Sequence, residues 1–126
     1  MKIIFPSAVL DHFYNPRNCG EIIPADSMGM EEDSGRGIVI KFFIRVKNGV
    51  VSETKFKTFG CITSIACASV ATELANGKSL EGVLDLSYKD IAEALGGLPE
   101  EKMHCSHLAI SALHKTIWDY LRRRDL

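Results

Sequence analysis

The sequence has no surplus of positive charge, no long apolar run and no Cys-x-x-Cys pair. Lysine and arginine total 15 against 16 aspartate and glutamate, a formal charge of -1. A nucleic-acid-binding domain ordinarily carries a basic excess, so no nucleic-acid partner is expected. No segment approaches the roughly 20 consecutive apolar residues of a membrane helix, and no membrane partner is expected either. The apolar start Ile3-Ile4-Phe5 is too short for a secretory signal, and Asp11 and His12 follow closely. A cytoplasmic location is the expectation, and structural disulfides are rare there. Internal repeats, low-complexity tracts, a phosphate-cradling glycine loop, an HExxH pair and a serine nucleophile elbow are also absent.

What is present is enough apolar residue, 46% of 126, to bury one core without staples. Residues 1–126 are read as a single domain. The informative minority is cysteine: Cys19, Cys61, Cys67 and Cys105, unevenly spaced. With disulfides disfavoured, the remaining meanings are a metal site, reactive thiols or core packing.

Ser7 caps a short helix over Ala8–Tyr14, which Asn15-Pro16 stops. Residues 18–37, with four glycines and the acidic run Glu31-Glu32-Asp33, read as a long loop. Alternation of Ile38, Ile40, Phe42, Ile44 and Val46 marks a half-buried strand, and Val50–Phe59 a second. Phase selects the turn between them. A two-residue Asn48-Gly49 turn would set the apolar face against Glu53 and Lys55. A three-residue Lys47-Asn48-Gly49 loop would instead face Ile44 with Ser52, Phe42 with Thr54 and Ile40 with Phe56, and is preferred. Glu21–Ile23 is the only candidate for a third strand. Helices are expected at Ile62–Ala75, Leu80–Leu84, Tyr88–Leu95 and from about Ser106 to Arg124. The fold class is α+β: a small three-stranded antiparallel sheet packed against helices, with a long C-terminal helix.

Cys61 and Cys105 each open a helix, where unpaired amides stabilise a thiolate. His104 adds an imidazole beside Cys105, and this donor set suits zinc or the iron of a cluster. Burial as core cysteines is the competing reading. Cys67 lies six residues into its helix, roughly 240° round from Cys61, and is assigned to packing. His12, His107 and His114 take surface or capping roles first, with His107 the least bland. The acidic run could supply oxygen ligands if its loop folds back on the cysteines.

Several segments in order resemble the IscU/NifU-type iron–sulfur cluster assembly scaffolds: Asp11-His12-Phe13-Tyr14-Asn15-Pro16-Arg17-Asn18, Phe56-Lys57-Thr58-Phe59-Gly60-Cys61, Ala71-Thr72-Glu73, Leu95-Gly96-Gly97-Leu98-Pro99 and Lys102-Met103-His104-Cys105-Ser106. The resemblance implies the α+β fold above and a site for a nascent [2Fe–2S] cluster. It also implies sulfur supplied by a cysteine desulfurase and delivery to recipient apoproteins. It places the second family cysteine on Cys61, the third on Cys105, the family histidine on His104 and the family lysine on Lys102. The first ligand motif, Cys-Gly-Asp, is not kept. Alignment without gaps sets Arg36 at its cysteine and Ile38 at its aspartate, and neither can ligate a cation. The chaperone-recognition stretch of some members, Leu-Pro-Pro-x-Lys, reads Leu98-Pro99-Glu100-Glu101-Lys102 here. Its second proline is absent, which weakens the expectation of a chaperone partner.

Cys61, Cys105 and His104 supply three ligands where a [2Fe–2S] cluster takes four. Cys19 is the candidate for compensation, because its loop precedes the altered motif. The preferred function is a scaffold or carrier for iron or a [2Fe–2S] cluster, not an enzyme; the alternatives are a zinc-dependent or thiol-based sulfur relay of enzyme-like character and a regulatory paralogue that binds the desulfurase without metal.

Overall fold

The computed structural model describes residues 5–124. The apolar alternation folds as expected into β2 (Ile38–Lys47) and β3 (Val50–Phe59), paired antiparallel. The turn is the two-residue one, contrary to the phase argument. Asn48 and Gly49 both take positive φ, 55° and 73°, as a tight primed turn requires. Val46 therefore pairs with Val51, yet Arg45 pairs with Glu53, so Ser52 is an extra residue in β3. This bulge supplies the one-residue correction that the loop was expected to provide. Ile44 then faces Thr54 and Phe42 faces Phe56, with the charged side chains off the buried face. Ile40, Phe42, Ile44 and Phe56 are at most 1% exposed; each such side chain contributes roughly 1.5–3 kcal/mol on burial.

The third strand is not Glu21–Ile23. It is β1 (Ser27–Asp33), which completes the antiparallel order β1-β2-β3 and takes the acidic run out of the loop. Ser-Met-Gly-Met-Glu-Glu-Asp has almost no strand-forming residues, so tertiary contacts hold it. Ser27 donates to the Thr116 carbonyl, Glu31 accepts from Ser111 and from Lys115 at 2.7 Å, and the Gly29 backbone lies against Thr116. Upstream, among the described residues, a single bridge joins Cys19 to Phe56, on the edge of β3 away from β2.

The helices are α1 (Ser7–Tyr14), α2 (Ile62–Ala75), α3 (Leu80–Leu84), α4 (Tyr88–Ala94) and α5 (Met103–Arg124). α5 lies across β1 and β2, and α2 packs on β3, α5 and α1. The small residues of α2 permit this close approach on several sides: Ala66, Cys67, Ala68, Ser69 and Ala71 are all 0% exposed. α1 begins at Ser7 itself, after Pro6, with no side-chain cap. α5 begins earlier than expected because a 3-10 turn, Glu100–Lys102, leads directly into it.

Candidate thiol and metal site

Two long-range constraints meet at the ends of two helices. β3 ends at Phe59, and Gly60 carries the chain to Cys61, the N-cap residue of α2. Gly60 is needed for this approach. A Cβ there would come within 2.6 Å of Ser64 Oγ and 3.3 Å of the Ile38 side chain. Cys105 lies in the first turn of α5 and is fully buried, while Cys61 is partly exposed. Their Sγ atoms are 3.8 Å apart. The Thr63 and Ser64 amides that open α2 point at the Cys61 sulfur, whereas a 3-10 turn runs into α5 ahead of Cys105.

The pair is electrically asymmetric. The Cys105 S–H donated to its sulfur holds the Cys61 thiol down at about 4, against burial, with help from Ser64 and the Thr63 amide. The same hydrogen bond, reinforced by burial, pushes the Cys105 thiol up, while the charge of Lys102 pulls it the other way. One proton is thus shared by two sulfurs, with the thiolate on the more accessible one.

The positions flanking the pair have changed chemistry. Ile38 is 3% exposed, and its side chain lies against Gly60, the residue before Cys61. Arg36 lies in the β1–β2 turn, and its Nη1 donates to Asp33 Oδ2 at 2.8 Å. Asp33 is the direct cross-strand partner of Ile38, so both side chains project from the same face of the sheet. The Arg36 guanidinium, with a smaller contribution from the charge of His104, holds the Asp33 carboxyl below the usual carboxylate range. Asp33 is therefore a carboxylate on the site's side of the sheet, in a segment expected to be loop. The signal for it was the acidic run; the strand that aims it was not legible.

The structure does not bring Cys19 to the pair. It is exposed at the Phe56 end of its bridge, five residues before Cys61 on β3, about 16 Å of extended chain. Cys67 is fully buried, and burial raises its thiol, in keeping with packing. His107 stacks on Tyr88 with ring centroids 3.9 Å apart, and His114 meets the Val83 carbonyl at 3.1 Å. His12 is buried, not superficial: its Nδ1 contacts Ser69 Oγ at 2.8 Å and its Nε2 lies 3.4 Å from Glu73, fastening α1 to α2. Among the described residues no three histidine, cysteine or acidic side chains converge in a metal-holding group.

Fold and paired sulfurs together define a small α+β protein with a dithiol at the junction of its sheet and two helices. The chain belongs to the NifU-like N terminal domain family, whose sequence profile matches residues 4–126. The iron-sulfur cluster assembly scaffold protein IscU 1 of Archaeoglobus fulgidus is 46% identical, over 95% of this chain and 78% of its own length. The scaffold protein IscU of Aquifex aeolicus is 43% identical, over 98% of this chain and 80% of its own length. The crystal structure described as a putative iron-sulfur cluster assembly scaffold protein from Fervidobacterium islandicum superposes with a TM-score of 0.71. It covers 87% of this chain and 93% of that one at 19% identity, a likeness of fold. No helix among the described residues is long and apolar enough to cross a membrane.

Proposed function

We propose that this protein is an iron–sulfur cluster assembly scaffold or carrier: sulfur from a cysteine desulfurase and iron meet at its dithiol, and a [2Fe–2S] cluster leaves for recipient apoproteins. The observation that carries the reading is the convergence of Cys61 and Cys105 at 3.8 Å, in a chain whose relatives are named as cluster assembly scaffolds. Two thiols at two helix N-termini favour soft cations and sulfur species over hard ones.

The cluster is cargo here, and the ligand set suits brief tenure. Cys61 and Cys105 supply two sulfur ligands, and His104, one residue before Cys105 in the chain, is the proposed third. A [2Fe–2S] cluster takes four, so the remaining ligand comes from outside this set. Arg36 and Ile38 remove two donors from the neighbourhood. The same sulfur and nitrogen donors suit zinc, and metal analysis separates the two.

The test is anaerobic reconstitution with iron and sulfide, followed by metal and sulfide analysis, of wild type and Arg36→Cys. Sulfur-to-iron charge-transfer bands are expected in both, persisting longer under a chelator in the variant. Absence of iron from the wild type, with a stable desulfurase complex, would replace the scaffold by a regulatory paralogue.

A further inference from the structure

The scaffold reading explains why sulfur arrives, and the structure sets two sulfurs in contact; among the described residues no third histidine, cysteine or acidic side chain completes a metal-holding group with them. Two thiols in contact can do something that a ring of separated ligands cannot. Cys61 is the accessible member and Cys105 the enclosed one, 0% exposed, behind it. A sulfane-sulfur donor therefore reaches Cys61 first. Any persulfide formed there has its inner sulfur 3.8 Å from Cys105, close to the separation of a near-attack arrangement.

We infer that the Cys61–Cys105 pair converts sulfane sulfur to sulfide: Cys61 accepts it and Cys105 resolves it. In the first step the Cys61 thiolate takes the outer sulfur of a protein or low-molecular-weight persulfide, whose own thiolate leaves. In the second, Cys105 sulfur attacks Cys61 Sγ. The Cys61–Cys105 bond forms, the bond to the outer sulfur breaks, and the Cys105 proton departs with the leaving group as hydrogen sulfide. The sulfane sulfur gains two electrons and the two thiols lose one each, so no outside reductant enters that step. A thiol reductant, a dithiol protein or glutathione, then restores the pair by exchange. The activity deepens the scaffold proposal, on which it rests for the identity of the sulfur donor, because a cluster is built from sulfide and not from sulfane sulfur.

The test treats folded wild type and Cys105→Ser, both on a Cys19→Ser background to remove the exposed thiol, with glutathione persulfide under anaerobic conditions. Wild type is expected to release one sulfide per sulfur accepted and to lose the mass of two hydrogens, with a Cys61–Cys105 disulfide in its peptide map. Cys105→Ser is expected to retain one added sulfur on Cys61 and to release sulfide at least about tenfold more slowly. A lasting persulfide on wild-type Cys61, or equal sulfide release from both proteins, overturns the inference. Peptide mapping of the wild type decides the matter even if the variant fails to fold. The donor is a small molecule, so the outcome is independent of the desulfurase. Cluster formation without sulfide release would leave the scaffold standing alone, and sulfide release without cluster formation would do the reverse.

Discussion

Cys61 Sγ and Cys105 Sγ stand 3.8 Å apart across 44 positions of sequence, and the thiol of Cys105 is the principal cause of the acidity of Cys61. A sulfur held down at about 4 is thiolate throughout the neutral range. An ordinary thiol of pKa about 8.5 is ionised to roughly one part in a thousand at about pH 5.5. Alkylation of Cys61 by iodoacetamide is therefore expected to proceed at nearly its neutral rate at about pH 5.5. Cys105→Ala removes the donor and should move the fall-off of the rate profile upward by several pH units. A Cys61 profile that rises only above pH 8 in the wild type would contradict the shared-proton arrangement. Cys67, buried with a raised thiol, should remain unlabelled until the protein unfolds.

The close approach of β1 to α5 at Gly29 makes a second prediction. A Cβ at position 29 would lie 2.6 Å from Thr116 Oγ1 and 2.7 Å from the Thr116 amide nitrogen. Part of that obstruction is helix backbone, which cannot swing aside. Gly29→Ala should destabilise the protein by about 1–3 kcal/mol, seen as a lower urea midpoint. Gly35→Ala is the control, because the nearest atom to its added methyl would be Asp33 Oδ1 at 3.6 Å; it should be close to neutral.

Much of the fold was legible because it is local. The period of two over Ile38–Val46, the small-residue run of α2 and the Ser79 and Ser87 caps each declare their element within a few residues. β1 declares nothing locally: its evidence is Thr116, Ser111 and Lys115, some eighty residues away. The turn illustrates the same limit. Phase correctly required a one-residue correction, but no local rule distinguishes a longer loop from a bulge at Ser52. At the site, the helix-opening positions of Cys61 and Cys105 could be read, whereas their contact depends on how β3 and α5 meet. Asp33 was visible as an acidic residue and invisible as the cross-strand neighbour of Ile38.

Cys19 shows how a proximity argument along the chain fails when the loop turns the wrong way. Gly20 donates to the Phe56 carbonyl and Phe56 donates to Asn18, which fixes the cysteine between them on the outer edge of β3. Reconstitution of Cys19→Ser is accordingly expected to yield as much bound iron and sulfide as the wild type. A loss of about half or more would mean that this edge detaches to reach the site, since a fixed backbone hydrogen bond contributes only about 1 kcal/mol.

Glu31 gives the tie between β1 and α5 a pH dependence whose sign can be worked out. The hydrogen bond from Lys115, then that from Ser111, holds its carboxyl below the ordinary glutamate value, against the opposing effect of burial. The folded state therefore favours the ionised form. The resulting stabilisation is complete above the unfolded pKa, near 4.3, and is lost as pH falls through the lower folded value. Glu31→Gln keeps the size and an acceptor oxygen but removes the charge facing Lys115. It should cost about 1 kcal/mol in urea unfolding at neutral pH, with the difference shrinking as the pH falls below the unfolded carboxyl value and through the lower folded one. An unchanging difference across that range would mean that packing, not the ion pair, fastens β1. Since Asp33 sits two residues further along the same strand and on the same face, loosening β1 should also alter how that carboxylate is presented to the dithiol site.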